Sequence, residues 1–411
     1  MLRLFCARSP FHVTQALATA APRSSAPRLR ALVHGAGPTG CLAALALADA
    51  GWEVTLRDPL SAEQLTGRSR AYAFNQSSQR LLARLDLWGA LQPLMVPFRN
   101  LLLRDQAIGS ELNFTLADLP SSVRGSGADA VGWIALHGPL MAALLQRLTA
   151  HPAIALRLQD AGETPGAGSG DTSPDLVVAA DGPASPHRRQ LGIGQWQWVY
   201  RQSCLTAQVE LRGCGDDQAW ELFRPEGPFA VLPLGERRFQ LVWSAPAHRC
   251  RQLESLPPAA FLDRLAGTLP DALQPDALLD QPRAFPVALQ LARRLARGRT
   301  LLVGESAHRC HPVGGQGLNL CWRDVACLHR LAGLVAAGRL GPEQLPGRYA
   351  RRRWPDLLLT LLATDLLVRL FSNRSAPLLP LRRVGIALLR AGAPLRRLSL
   401  GVMTVGPTRP W

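Results

Sequence analysis

The run from Gly304 to Asn319 reads Gly-Glu-Ser-Ala-His-Arg-Cys-His-Pro-Val-Gly-Gly-Gln-Gly-Leu-Asn, set between a short apolar strand, Thr300 to Val303, and a helix beginning near Gly317. Glycines at 314, 315 and 317 leave a backbone with almost no side-chain cover. Its amides can approach a flat or anionic ligand and meet a helix N-terminus. The chemistry this suits is the holding of a cofactor ring, with Glu305, Pro312, Gly315, Gln316, Gly317, Leu318 and Asn319 as candidate contacts.

Such a loop needs a partner for the rest of the ligand, and the N-terminal part of the chain supplies one. Ala31 to Val33 reads as a strand, Gly35-Ala-Gly37-Pro-Thr-Gly40 follows, Cys41 to Ala50 reads as a helix, and Trp52 to Asp58 as a second strand ending on an acid. This is a βαβ unit carrying the dinucleotide fingerprint. Gly35 allows the tight turn, Gly37 lets the backbone reach a pyrophosphate, and Gly40 packs helix on strand. Asp58, at about the 20-residue spacing of the motif, is placed to accept from a ribose hydroxyl. A third element, Asp175 to Arg189, is a buried-type strand breaking at Asp181-Gly182 into Ser185 and two arginines.

Together the three motifs, Gly35-x-Gly37-x-x-Gly40, Ala180-Asp181-Gly182-x-x-Ser185-x-x-Arg188 and Gly304 to Asn319, resemble the single-component FAD-dependent aromatic hydroxylases, whose type member is p-hydroxybenzoate hydroxylase. Val131 to His137, Phe223 with Gly227 to Leu234, Val242-Trp243 and Arg323-Asp324-Val325 are similar to the ubiquinone-biosynthesis branch. The resemblance spans about residues 30 to 400. It implies FAD as cofactor, NAD(P)H as electron donor or, as in some members of the branch, a ferredoxin system, and an electron-rich aromatic ring and O2 as substrates. It further implies transfer of oxygen through a flavin C4a-hydroperoxide, in a pocket dry enough to protect that species from water. Within the branch the substrate is a prenylated quinone precursor, and a quinone-biosynthesis complex is a potential partner.

Glu305 departs from the family, which has aspartate or asparagine where the ribityl chain is bound; glutamate still accepts a hydrogen bond but adds a methylene to the reach. The resemblance also places Arg70 near the flavin and His137 at its edge. His308 and His311 flank Arg309-Cys310, yet no C-x-x-C or H-x-x-x-H partner exists, so no metal site is expected. Asp324 reads as a buried hydrogen-bonding residue of the helix after the loop. No residue stands out as a general base.

With 411 residues the chain can hold a large composite core. Its net charge of +16 is carried by arginine alone, since the sequence has no lysine. No nucleic-acid module accompanies the charge. A membrane surface is the better match, because the segment after Arg369 has no acid and alternates arginines at 382, 383, 390, 396 and 397 with leucines, valine and isoleucine. These pieces, punctuated by Pro377, Pro380 and Pro394, read as interfacial helices, the plainer alternative being helices packed on the FAD domain with their arginines in water. The apolar run 357–370 falls short of the roughly 20 residues a span needs.

The eight cysteines show no paired spacing, as suits free thiols in a reducing compartment. Residues 1–28, with arginines, serines and no acid, read as a transit peptide, a disordered extension or a start set too early. The predicted fold is α/β (α+β). A Rossmann-like FAD-binding domain in two parts, 29–195 with insertions and 291–335, is interleaved with an antiparallel substrate-binding sheet over 196–290, and helices follow over 336–411. Asp160 to Pro174 is expected to be an exposed loop. The expected setting is cytoplasmic, peripheral on an inner or thylakoid membrane, with organellar import as the alternative. Two other functions stay open: a flavin-dependent reductase of a polyprenyl substrate, and a non-catalytic FAD- or lipid-binding member of a quinone-synthesis complex.

Overall fold

A computed structural model describes residues 29–125, 127–160 and 173–408. The 1–28 extension and most of the loop expected between Asp160 and Pro174 lie outside the described residues. One sheet has six strands in the order Ala296–Arg297, Thr300–Leu302, Leu176–Ala179, Arg30–His34, Glu53–Asp58, Ile154–Leu158. All its pairings are parallel except the first, as the crossovers of a dinucleotide fold require. The helix Pro38–Asp49 is buried from Gly40 through Ala48. Its sequence is alanine and leucine on every side because it lies within the protein rather than on its surface.

The second sheet has nine strands, seven between Gln195–Arg212 and His308–Arg309 and two, Asn100–Asp105 and Ser110–Phe114, from the first part of the chain. It is antiparallel except where Gln218–Phe223 runs parallel to Asn100–Asp105. Period-two alternation divides its side chains between two apolar layers. Phe229, Val231, Leu241 and Trp243 pack with Phe261 and Leu265 of the helix Pro258–Ala266. Ala230, Leu232 and Val242, one residue out of phase, line a cavity instead. With both faces covered, these strands read as nearly continuous apolar runs.

The C-terminal helices close that cavity. Leu345–Phe371, Leu378–Ala391 and Ala393–Val405 follow the helix Gln316–Ala336, and no helix among the described residues is long and apolar enough to cross a membrane. Pro377 caps one of these helices and Pro394 lies in the first turn of another, where a missing N–H costs nothing. The arginine pattern divides differently from the sequence expectation. Arg382 is buried, its guanidinium bonded to the Leu370 carbonyl at 2.7 Å, to Asn373, and 3.8 Å from Asp105. Arg390 reaches the Glu111 carbonyl and Arg396 pairs with Asp118 at 2.9 Å. These three are tethers to the body, leaving Arg383 and Arg397 exposed.

Candidate active site

Steric contact assigns each glycine of the first loop a separate task. A Cβ on Gly40 would stand 1.7 Å from the Gly35 carbonyl oxygen, and one on Gly35, whose φ is +97°, 2.4 Å from the Ala180 carbonyl oxygen. A Cβ on Gly37 would meet nothing within 4 Å, and Gly37 lines the cavity. Two glycines therefore pack backbone on backbone, and the middle one leaves room for a ligand. The helix Pro38–Asp49 begins there without a side-chain cap, so its first amides are free for an anion. Asp58 lines the same space but also builds it: Ala36 N–H donates to its Oδ2 at 2.6 Å and Leu60 N–H to its Oδ1 at 2.8 Å. Each oxygen keeps a lone pair for a ribose hydroxyl.

The Asp181-Gly182 turn faces this cradle from the neighbouring strand. Asp181 accepts from His187 Nδ1 at 2.8 Å, and the His187 ring packs tilted against His34 with centroids 3.9 Å apart. Burial holds His34 down at about 4, so its ring is neutral at physiological pH. Ser185 caps the next helix through Arg188 N–H, while the Arg188 guanidinium donates to the Ser306 carbonyl at 2.7 Å and the Pro183 carbonyl at 3.0 Å. The serine and arginine of the second motif thus fasten it to the third rather than touching a ligand. His34 and His187 carry no spacing signal that would have identified them.

At the ring end, Gly314 and Gly315 both have left-handed backbone, φ +66° and +62°, which turns the chain into the N-terminus of the helix Gln316–Ala336. Pro312, Gly315, Gly317 and Leu318 line the cavity. Gln316 and Asn319 do not. Gln316 Nε2 donates to the Met403 carbonyl at 3.0 Å, binding the last helix to the loop. The Asn319 amide is saturated: Asn75 N–H and Ser78 Oγ donate to its oxygen, and its nitrogen donates to the Ala73 and Gly315 carbonyls. These two side chains shape the loop from behind, off the cavity lining. His137 is likewise set back, with Nε2 on the Leu65 carbonyl at 2.6 Å and Nδ1 on the Tyr72 hydroxyl at 2.9 Å. Tyr72, and not His137, lines the cavity. Arg70 lines it too, its guanidinium 5.3 Å from the Phe285 ring centroid.

Glu305 lines the cavity with its side chain 45% exposed and its nearest cation, Arg309, 4.0 Å away. Among the described residues no closer contact commits it elsewhere, so its carboxylate can accept from a ligand hydroxyl. Beneath it Asp324 is fully buried, receiving Gly304 N–H at 2.8 Å, His308 Nε2 at 2.7 Å and Arg353 Nε at 2.6 Å. Asp356 joins Arg353 to Arg323, completing a buried charge network under the loop. His311 takes Val313 N–H on Nδ1 and faces Gln202 at 3.4 Å with Nε2.

The cavity, about 1200 Å³, continues past the loop into a chamber walled by the second sheet and the C-terminal helices. Phe98, Leu103, Phe114, Leu232, Phe285 and Phe371 contribute to its apolar lining. Two carboxyls interrupt that lining where the sequence suggested none: Asp105, 3.8 Å from the Arg382 guanidinium, and Glu221, which has no basic partner among the described residues. Burial pushes its carboxyl up to about 7, and its hydrogen bond from Gly314 N–H, 3.4 Å long, only partly offsets this. The signal available in the sequence was a glutamate within the otherwise apolar strand Gln218–Phe223.

Cradle, turn and ring loop lie on one continuous cavity, with an open uncapped helix end for phosphate and a Cβ-free floor. These residues fit a flavin dinucleotide, and the fold with its adjoining apolar chamber is that of an FAD-dependent hydroxylase. A family model described as FAD binding domain matches residues 153–355. The ubiquinone hydroxylase UbiL of Rhodospirillum rubrum is 34% identical over 404 residues, covering 92% of this chain and 91% of the relative. The 3-demethoxyubiquinol 3-hydroxylase of Escherichia coli is 31% identical over 387 residues, covering 90% and 96%. Klebsiella pneumoniae HpxO, solved with FAD and uric acid, shares the fold at a TM-score of 0.70 over 92% of this chain and 97% of its own, with 19% identity. The chain belongs to the family of FAD-dependent monooxygenases that contains these ubiquinone hydroxylases.

Proposed function

We propose that this protein hydroxylates the aromatic ring of a prenylated quinone precursor, using O2 and electrons from NAD(P)H. The observation that carries the reading is the continuity of the glycine cradle with an apolar chamber that reaches the surface among exposed leucines. Gly35, Gly37 and the first turn of Pro38–Asp49 would hold the pyrophosphate, Asp58 a ribose, Glu305 the ribityl chain, and Pro312 with Gly314 to Leu318 the ring. Bound and reduced, the flavin supplies activated oxygen. The protein's own part is to orient the substrate and exclude water, which the phenyl and leucyl lining does. The purified protein should carry FAD and consume NAD(P)H faster when a prenylphenol is added, and a deletion strain should accumulate an under-hydroxylated quinone intermediate. Substrate turnover without oxygen would favour the polyprenyl reductase instead, and flavin binding without substrate-dependent electron flow the non-catalytic reading.

A prenylated substrate resides in a lipid bilayer, and the same reading includes peripheral attachment there. Leu366, Leu398 and Val402 are both exposed and at the cavity rim, so the rim lies within an apolar surface continued by Leu362 at 63% exposure and Leu388 at 55%. Arg383 and Arg397 stand among these residues on acid-free helices, complementary to anionic headgroups. Sedimentation with anionic vesicles tests this. The double substitution Leu362→Glu and Leu388→Glu, away from the cavity lining, should reduce the bound fraction by at least about tenfold, since burying one leucine is worth roughly 1.5–3 kcal/mol. Undiminished binding would place the contact elsewhere or with another protein of a quinone-forming complex.

A further inference from the structure

Of the two carboxyls in the apolar chamber, Asp105 lies beside Arg382, and Glu221 has no basic partner among the described residues. On its strand, Ala219, Glu221 and Phe223 turn to the cavity, and its partners on the adjacent strands are Ala230 and Leu103. The residue is 7% exposed. No arginine pairs with it among the described residues, and Gly314 N–H is the one donor to its carboxyl. A buried carboxyl in such company costs free energy unless something answers it, and groups of this kind concentrate at functional sites. Its position is specific, since Gly314 belongs to the loop that cradles the ring end of the cofactor site.

Resting on the hydroxylase reading above, we infer that Glu221 is the proton acceptor for the ring hydroxyl of the aromatic substrate. The substrate O–H bond breaks, an O–H bond forms on a Glu221 carboxylate oxygen, and the electron pair stays on the ring oxygen. From there it enriches the ring carbon that receives oxygen. An acceptor titrating near the working pH suits this exchange better than an ordinary carboxylate, because a free phenol titrates at about 10. The other ionisable groups on the cavity wall lie with partners of their own or at the ring end. Asp105 is 3.8 Å from Arg382, Arg70 lies over Phe285, and Arg68, Arg309 and Glu305 border the cofactor space. The Cys204 thiol, within electrostatic reach of Glu221, is pushed up to about 12 and stays neutral.

The substitution Glu221→Gln separates this role from anchoring, because an amide oxygen still accepts from Gly314 N–H but cannot take a proton. In the holoenzyme, kcat with 2-prenylphenol should fall by about 10²–10⁴-fold, with FAD content and substrate affinity little changed. The acid limb of the kcat profile near pH 7 should vanish. An activity-independent readout uses 2-prenyl-4-nitrophenol without oxygen, a phenol acidic enough to give its proton to Glu221: at pH 7 the bound probe should show a stronger red-shifted phenolate band in the wild type than in the variant, where a lone phenolate in the apolar chamber is disfavoured. Unchanged turnover and pH profile in Glu221→Gln, or equal phenolate absorption in both proteins, would overturn the inference. Were hydroxylation itself absent from the wild type, the phenolate band would still report on Glu221, so the two readings fail separately.

Discussion

Gly40→Ala yields a protein that neither reaches the native fold nor holds flavin. The added methyl would lie 1.7 Å from the Gly35 carbonyl oxygen and 2.9 Å from its carbon, and both belong to backbone that no rotamer change can move aside. Gly35 has little room to retreat, because the Ala180 backbone stands so close behind it that a Cβ there would lie 2.4 Å from the Ala180 carbonyl oxygen. Overpacking costs about 1–3 kcal/mol where side chains can shift. Here relief requires parting the helix Pro38–Asp49 from the strand Arg30–His34, the centre of the largest core cluster. Against a total stability of about 5–15 kcal/mol that loss is decisive. Gly37→Ala is the companion experiment. With no atom within 4 Å of the new Cβ, it should fold normally, yet its methyl enters the phosphate space and should weaken FAD binding by at least about tenfold. Circular dichroism and the flavin absorbance of the purified variants distinguish the two outcomes; a folded yellow Gly40→Ala protein would refute the steric argument.

The second large effect is expected at Asp324. Asp324→Ala should destabilise the protein by about 3–5 kcal/mol, the usual cost of removing one partner from a buried ion pair. It leaves the Gly304 N–H and the His308 ring without their acceptor and, among the described residues, Asp356 as the one carboxylate between the buried Arg353 and Arg323 guanidiniums. Because Gly304 opens the ring loop, flavin release should precede global unfolding in a urea titration followed by flavin fluorescence and circular dichroism. The wild type carries a matching pH signature. Burial alone would raise the Asp324 carboxyl, but His308 and Arg353 outweigh it and hold it at about 2, below the unfolded value near 4. A depressed carboxyl contributes stability above the unfolded value and loses it as pH falls towards the folded one, so this contribution should disappear between about pH 4 and pH 2. Asp324→Asn should lack that acid transition, and its persistence would assign the transition to another group.

Motif residues whose place depends on backbone sterics were legible in the sequence; the partners of polar side chains were not. Gly35, Gly37 and Gly40 lie where the fingerprint places them, and Pro312, Gly315, Gly317 and Leu318 line the cavity. Asn319, Gln316 and His137 share motifs with them but spend their polar atoms on Ser78, Met403 and Leu65, far away in the chain. Buried amides and imidazoles take whatever donors and acceptors the fold brings near, and neighbouring letters do not name those partners. Arg382 was legible as one arginine of a basic helix, yet Leu370, Asn373 and Asp105 make it an internal strut.

What the sequence by itself determined is the flavin-binding backbone: three short motifs whose glycines, prolines and strand-ending acid dictate turns and helix starts through local sterics. Only the tertiary structure decided which side chains face the ligand space. The nine-stranded sheet borrows Asn100–Asp105 from the first part of the chain, and the C-terminal helices fold back over the chamber it forms. That closure is what turns Glu221 from one more charge on a strand into a buried carboxyl with no basic partner in an apolar room. The physical reason is that burial belongs to the assembled surfaces, and a strand alone cannot say which of its two faces will be covered, or by what.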